Sequence, residues 1–223
     1  MNSRRKFLAN AGMLGLGIPA LTRLWPFKDK SASDQQIAIP SKANRPVVIS
    51  TWSFGVQANV AAWEILGKRG YALDAVEAAA RVVEADPSNQ SVGYGGFPDR
   101  DGHVTLDACI MDENGNAGSV TYLENIMHPA SVARKVMELT PHVMLSGKGA
   151  LNFALQQGFE KQNLLTDESR AAWEAWKIKA QYEPIINIEN HDTIGILALD
   201  QEGRLCGTCT TSGLAFKMNG RVG

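Results

Sequence analysis

Histidine and cysteine are scarce in this sequence, with four and three among 223 residues. Cys109, Cys206 and Cys209 are too few, and odd in number, for a disulfide framework. His103, His128, His142 and His191 are scattered, with no pair at ligand spacing, so the expectation is no metal and no cofactor. Charge of one sign is missing too: the formal net charge is -1. No basic field points to nucleic acid, and no acidic tract to a solvating tail. No apolar run is long and clean enough for a membrane span, so no membrane partner is expected. Internal repeats are absent. What remains is ordinary globular composition, 44% hydrophobic and 20% charged, enough for one domain with a real core.

The N-terminus stands apart. In "MNSRRKFLANAGMLGLGIPALTRLWPF" a basic patch (Arg4, Arg5, Lys6) precedes a modestly apolar stretch, the layout of an export signal. The Arg4-Arg5 pair followed by Phe7-Leu8 resembles a bacterial twin-arginine signal. We therefore expect a signal over 1–28, a polar linker over 29–44 and a periplasmic protein.

From residue 45 the pattern is that of a folded α+β domain. "RPVVISTW" predicts a buried strand. Helical spacing follows over 58–66 and again over 73–83, where Leu73, Val76, Ala80 and Val83 form one stripe. "SVGYGGFPDRDG" is glycine-dense but lacks the lysine and helix start of a phosphate loop. Two alternating runs then flank Asn114-Gly115, a hairpin signal. Helices are predicted over 130–139, 150–157 and 166–179. A second hairpin follows, turning at "DQEGR". This order predicts an antiparallel sheet packed with helices rather than a regular βαβ series.

Three constellations invite chemistry. Cys206 and Cys209 form a C-x-x-C, but within a strand such positions face opposite sides, and the helix N-terminus that activates a redox cysteine is missing. Carboxylates are plentiful, with nothing to select a glycosidase pair. The third is "HDTIG", His191 to Gly195, at the entrance to an apolar strand. A threonine hydroxyl is a poor nucleophile until something takes its proton. If the bond before Thr193 were cut, the new α-amino group, with a reference pKa of about 7.7–8.0, would be a built-in base. The same hydroxyl could make that cut by attacking the Asp192 carbonyl to give an ester that water opens. His191 or Asp192 could move the protons. By itself the motif is short, and polar runs before strands are common.

The segments "STWSFG", "ALDAVE", "SVGYGGFPDRDG", "LDACIMDENGN", "SVARKVME", "PHVMLSG", "NIENHDTIG", "CTTSG" and "NGRVG" resemble, in order, the bacterial glycosylasparaginases, which are N-terminal nucleophile hydrolases. The resemblance runs from about Pro46 to Gly223. It implies autocleavage after Asp192, with Thr193 as nucleophile. It implies that Thr211 tunes that nucleophile, that Arg221 binds the substrate α-carboxylate, and that Trp52 lies at the pocket. It implies an αββα four-layer sandwich, a small glycosyl-asparagine substrate, and an α/β heterodimer that itself pairs. On this resemblance 45–192 correspond to the α-subunit and 193–223 to the opening of the β-subunit. The family continues past "GRVG" with an aspartate that holds the substrate amino group and a Thr-Gly pair that forms the oxyanion hole. The expectation is therefore an incomplete sandwich, inactive as this chain alone. Asparaginases and isoaspartyl peptidases of the same superfamily carry Gly before the threonine, where this chain has Asp192. They are the alternative, together with a non-catalytic remnant.

Overall fold

The computed structural model describes residues 44–179 and 193–223. The predicted export signal, the linker up to residue 43, and His191 and Asp192 lie outside the described residues.

Strands β1 (Val47–Ser50), β2 (Thr105–Met111), β3 (Ala117–Glu124), β4 (Met144–Ser146), β5 (Ile194–Leu199) and β6 (Leu205–Thr211) form one open sheet in the order β1-β5-β6-β2-β3-β4. Every pairing is antiparallel except β3 with β4. Helices α1 (Gly55–Leu66), α2 (Ala72–Glu84), α3 (Pro129–Leu139) and α4 (Gly147–Gln156) pack against it, and α5 (Asp167–Lys179) follows. This is a mixed α and β fold built on an antiparallel core, as the order of patterns predicts.

The core lies on one face of the sheet. Ile194, Ile196 and Ala198 of β5 alternate inward, as do Ala108 and Ile110 of β2. The α2 stripe of Leu73, Val76, Ala80 and Val83 is buried against β5 and β6. The helix positions in this layer are mostly alanine (Ala58, Ala62, Ala75, Ala79, Ala133), which lets the helix axes come close to the strands. At Gly118 of β3 the approach is so tight that any Cβ would run into the Ala133 carbonyl of α3.

Both hairpins form. The first turns at Asn114-Gly115, where Asp112 accepts backbone N–H bonds from Asn114 and Asn116, both at 2.9 Å. The second turns at Asp200 to Arg204. The Asp200 carboxylate accepts from the N–H groups of Glu202 and Arg204 at 3.0 Å, from the Arg204 guanidinium at 2.7 Å, and from the Ala72 N–H that opens α2 at 3.2 Å. One buried carboxylate thus fixes the turn and the helix start together.

Three details differ from the sequence reading. The first strand is not buried: β1 is a sheet edge, with Val47 and Ile49 39% and 57% exposed. A β-branched run gives the same signal on an edge strand as in the middle of a sheet. The fourth helix starts at Gly147, earlier than its apolar spacing suggests. The short strand β4 just before it was not foreseen, because three residues carry no periodicity.

Candidate active site

Thr193 sits immediately before β5, and its surroundings are made by the end of β1. Its carbonyl oxygen accepts two hydrogen bonds, from the Thr51 hydroxyl at 3.2 Å and from the Trp52 indole N–H at 3.0 Å. The Thr51 hydroxyl in turn accepts the Gly195 N–H at 3.0 Å, and the Thr51 N–H donates to the Gly195 carbonyl at 3.0 Å. Chain entry into β5 is therefore held from the Thr193 carbonyl to Gly195 by Thr51 and Trp52. Trp52 reaches it from a left-handed backbone (φ 65), a conformation that costs a non-glycine residue on the order of 1 kcal/mol and clusters at functional sites.

Thr193 and Thr211 line the same cavity of about 190 Å3, on the sheet face that the helices do not cover. Asp107, Cys109, Ser119, Thr121, Cys209 and Gly223 complete much of its wall. Thr211 ends β6 and is buried, and its hydroxyl accepts the Gly213 N–H at 2.8 Å and approaches the Ser91 carbonyl at 3.4 Å. Thr210, one residue earlier, points the other way and donates to the Glu84 carboxylate at 2.8 Å. Glu84 is fully buried at the end of α2, and it also accepts the Ala130 N–H at 3.0 Å and meets His128 Nδ1 at 3.2 Å. The strand end that carries Thr211 is thus anchored from beneath.

The segment after β6 folds back over this end of the sheet. Lys217 is buried, with its ammonium 2.8 Å from the Ser212 carbonyl and 3.6 Å from Asp107. Burial pulls the Lys217 pKa below its ordinary value, against the opposing pull of Asp107. Asp107 also accepts the Tyr122 N–H at 2.9 Å and the Gly223 N–H at 2.8 Å. This ion pair ties the segment holding Arg221 to β2 and β3. Arg221 is half-buried, its N–H donating to the Met218 carbonyl at 3.0 Å. Val222 and Gly223, not Arg221 itself, line the cavity.

The structure therefore brings Thr193 and Thr211 into one cavity, with the Trp52 indole on the Thr193 carbonyl and Arg221 on the returning segment, next in sequence to Val222 of the cavity wall. Asp107 and Lys217 were not singled out in the sequence, although an aspartate inside the apolar run "LDACIM" was a signal available to be read. Among the described residues, no cluster of three or more His, Cys, Asp or Glu side chains is placed to hold a metal ion. No helix among them is long and apolar enough to cross a membrane.

A family model described as asparaginase matches residues 38–223. The chain belongs to the asparaginase family. Among similar proteins, an N(4)-(Beta-N-acetylglucosaminyl)-L-asparaginase of Elizabethkingia miricola is 59% identical over 222 residues, covering 100% of this chain and 64% of that protein. The rat (Rattus norvegicus) protein of that name is 36% identical over 209 residues, covering 80% of this chain and 60% of its own length. The mouse (Mus musculus) protein is 35% identical over 210 residues, with the same coverage. This asparaginase-family chain thus spans about three fifths of the length of those relatives.

Proposed function

We propose that this chain carries the nucleophile of an autoprocessing amide hydrolase that cleaves the bond between N-acetylglucosamine and asparagine. The observation that carries the reading is the setting of Thr193: first residue before β5, its carbonyl held by Thr51 and Trp52, in one cavity with Thr211. The 59% identity to a bacterial protein named for that activity supports it. The activity proposed is that of the whole family protein. Residues 1–223 by themselves are proposed to be inactive.

The chemistry follows from the threonine. Thr193 Oγ attacks the Asp192 carbonyl, the peptide nitrogen leaves as an amine, and water opens the resulting ester. Thr193 is then an N-terminus, and its own amino group takes the hydroxyl proton in the next reaction. Oγ attacks the side-chain carbonyl of the glycosylated asparagine. The proton passes to the departing glycosylamine, an acyl-enzyme remains, and water releases aspartate. The clamp acts on the carbonyl oxygen of Thr193, not on the atoms that react, and holds the residue at the start of β5. Arg221 offers a guanidinium fork to the substrate α-carboxylate. The apolar sheet face around the cavity, with Ile49, Met111, Leu197 and Leu205 exposed, is proposed to meet a second sheet in an αββα sandwich. Residues before and after the cut are proposed to stay together as an α/β heterodimer, in the periplasm after export.

Intact mass under denaturing conditions, on protein made from its native locus, tests the reading. Two species are expected, one beginning at Thr193. A single uncut species would favour a non-catalytic remnant. Thr193→Ala should remove both cleavage and turnover, and Thr193→Ser should keep some of each. Arg221→Ala should leave cleavage intact and raise KM roughly 10- to 100-fold, the loss of a charge-assisted hydrogen-bonded contact. Faster turnover of free asparagine or isoaspartyl peptides than of the glycosylated substrate would move the assignment to the asparaginase and isoaspartyl peptidase branch.

A further inference from the structure

Cys206 and Cys209, the C-x-x-C of the sequence, do not face one another. Cys206 is buried on the helix-covered side, and Cys209 points to the open face. Cys209 has a different neighbour. It is paired in register with Cys109 across the antiparallel strands β6 and β2. Both cysteines are free, and both line the cavity that holds Thr193 and Thr211. Directly opposed residues of antiparallel strands have Cα atoms about 4.5–5.5 Å apart. Disulfides span about 4.4–6.8 Å. The Cys209 side chain beside it draws the Cys109 thiol below its usual range, against the opposing effect of burial.

We propose that Cys109 and Cys209 are a redox pair that closes to a cross-strand disulfide in the wall of the Thr193 cavity. The oxidant is a low-molecular-weight disulfide such as oxidised glutathione. The Cys109 thiolate attacks one glutathione sulfur, and the other glutathione leaves as a thiolate. Cys209 then gives up its proton and attacks the Cys109 sulfur, expelling the second glutathione. Both cysteines are oxidised by one bond, and one oxidised glutathione becomes two thiols. The geometry carries this without reference to catalysis. One consequence does rest on the proposed cut: Cys109 lies before Thr193 and Cys209 after it, so the bond joins the two products covalently.

The test uses wild-type protein as purified, treated with oxidised glutathione, alkylated with iodoacetamide and digested. A peptide linking Cys109 to Cys209, split by dithiothreitol, is expected. Separate alkylation of both cysteines, or glutathione retained on each, would overturn the proposal. Cys209→Ser should instead trap glutathione on Cys109, because the resolving thiol is gone. An unmodified Cys109 in that variant would count against the mechanism, and the wild-type mapping stands whether or not the variant folds. Uncut Thr193→Ala protein should form the same link, so failure of the hydrolase reading is distinguishable from failure of this one. In processed protein, the two products should run as one band without reductant and as two with it.

Discussion

The two faces of the sheet are built from the same strands and differ in almost everything else. One face is finished: β-branched side chains from β5 and β2 fit under helices lined with alanine, and the residues there are inaccessible to solvent. The other is apolar yet exposed, and it carries the candidate nucleophile, Thr211 and the thiol pair. The covered face supplies rigidity, because a close-packed layer has few alternative arrangements. The open face carries the proposed chemistry, because its strand ends have room beside them. Substitutions on the two faces should therefore behave differently.

The largest effect on stability is expected on the covered face. Leu66 ends α1 and is 1% exposed. Leu66→Ala should lower unfolding stability by about 3 kcal/mol, the cost of lost burial plus a residual cavity. The midpoint of urea denaturation, at constant m-value, measures it.

A smaller effect is expected at the hinge between hairpin and helix layer. Burial alone would raise the Asp200 pKa, but the N–H groups of Arg204 and Ala72 and the Arg204 guanidinium overcome it, and the net shift is downward. A carboxylate with a lowered folded pKa contributes stability that is present above its unfolded pKa, about 3.9, and is lost as pH falls through the folded value. Asp200→Ala should cost about 2 kcal/mol near neutrality, since donors at the turn and at the start of α2 lose their acceptor. The wild type and variant should converge in stability below that acidic window. Parallel curves down to low pH would remove Asp200 from the account of acid sensitivity.

These predictions also separate what local sequence discloses from what it does not. The α2 stripe was legible because helix spacing and burial coincide, and the Asn114-Gly115 hairpin because a two-residue turn has its own chemistry. "HDTIG" stood out for the residue types themselves. The opposed Cys109 and Cys209 could not be read, because they meet through strand register, a non-local property. The left-handed backbone of Trp52 was hidden for another reason: bulky residues ordinarily avoid it, so no composition announces it. The Asp107–Lys217 pair sits between these cases. Its aspartate interrupts an apolar strand visibly, but the lysine that faces it comes from a segment that folds back.

The smallest effect is expected at Leu197, on the same β5 strand as the buried Ile196 but 47% exposed on the open face. In residues 1–223 alone, Leu197→Ala should change stability by no more than about 0.5 kcal/mol, as for other surface positions. In a protein whose second sheet covers that face, the same methyl groups would be buried, and the cost should rise to about 2 kcal/mol or more. The pair of measurements therefore sharpens the contrast between the faces. Equal, small costs in both would leave the apolar face uncovered and sink the sandwich. A cost that grows only in the longer protein would place the second sheet against Leu197 and its exposed neighbours on β1, β2 and β6.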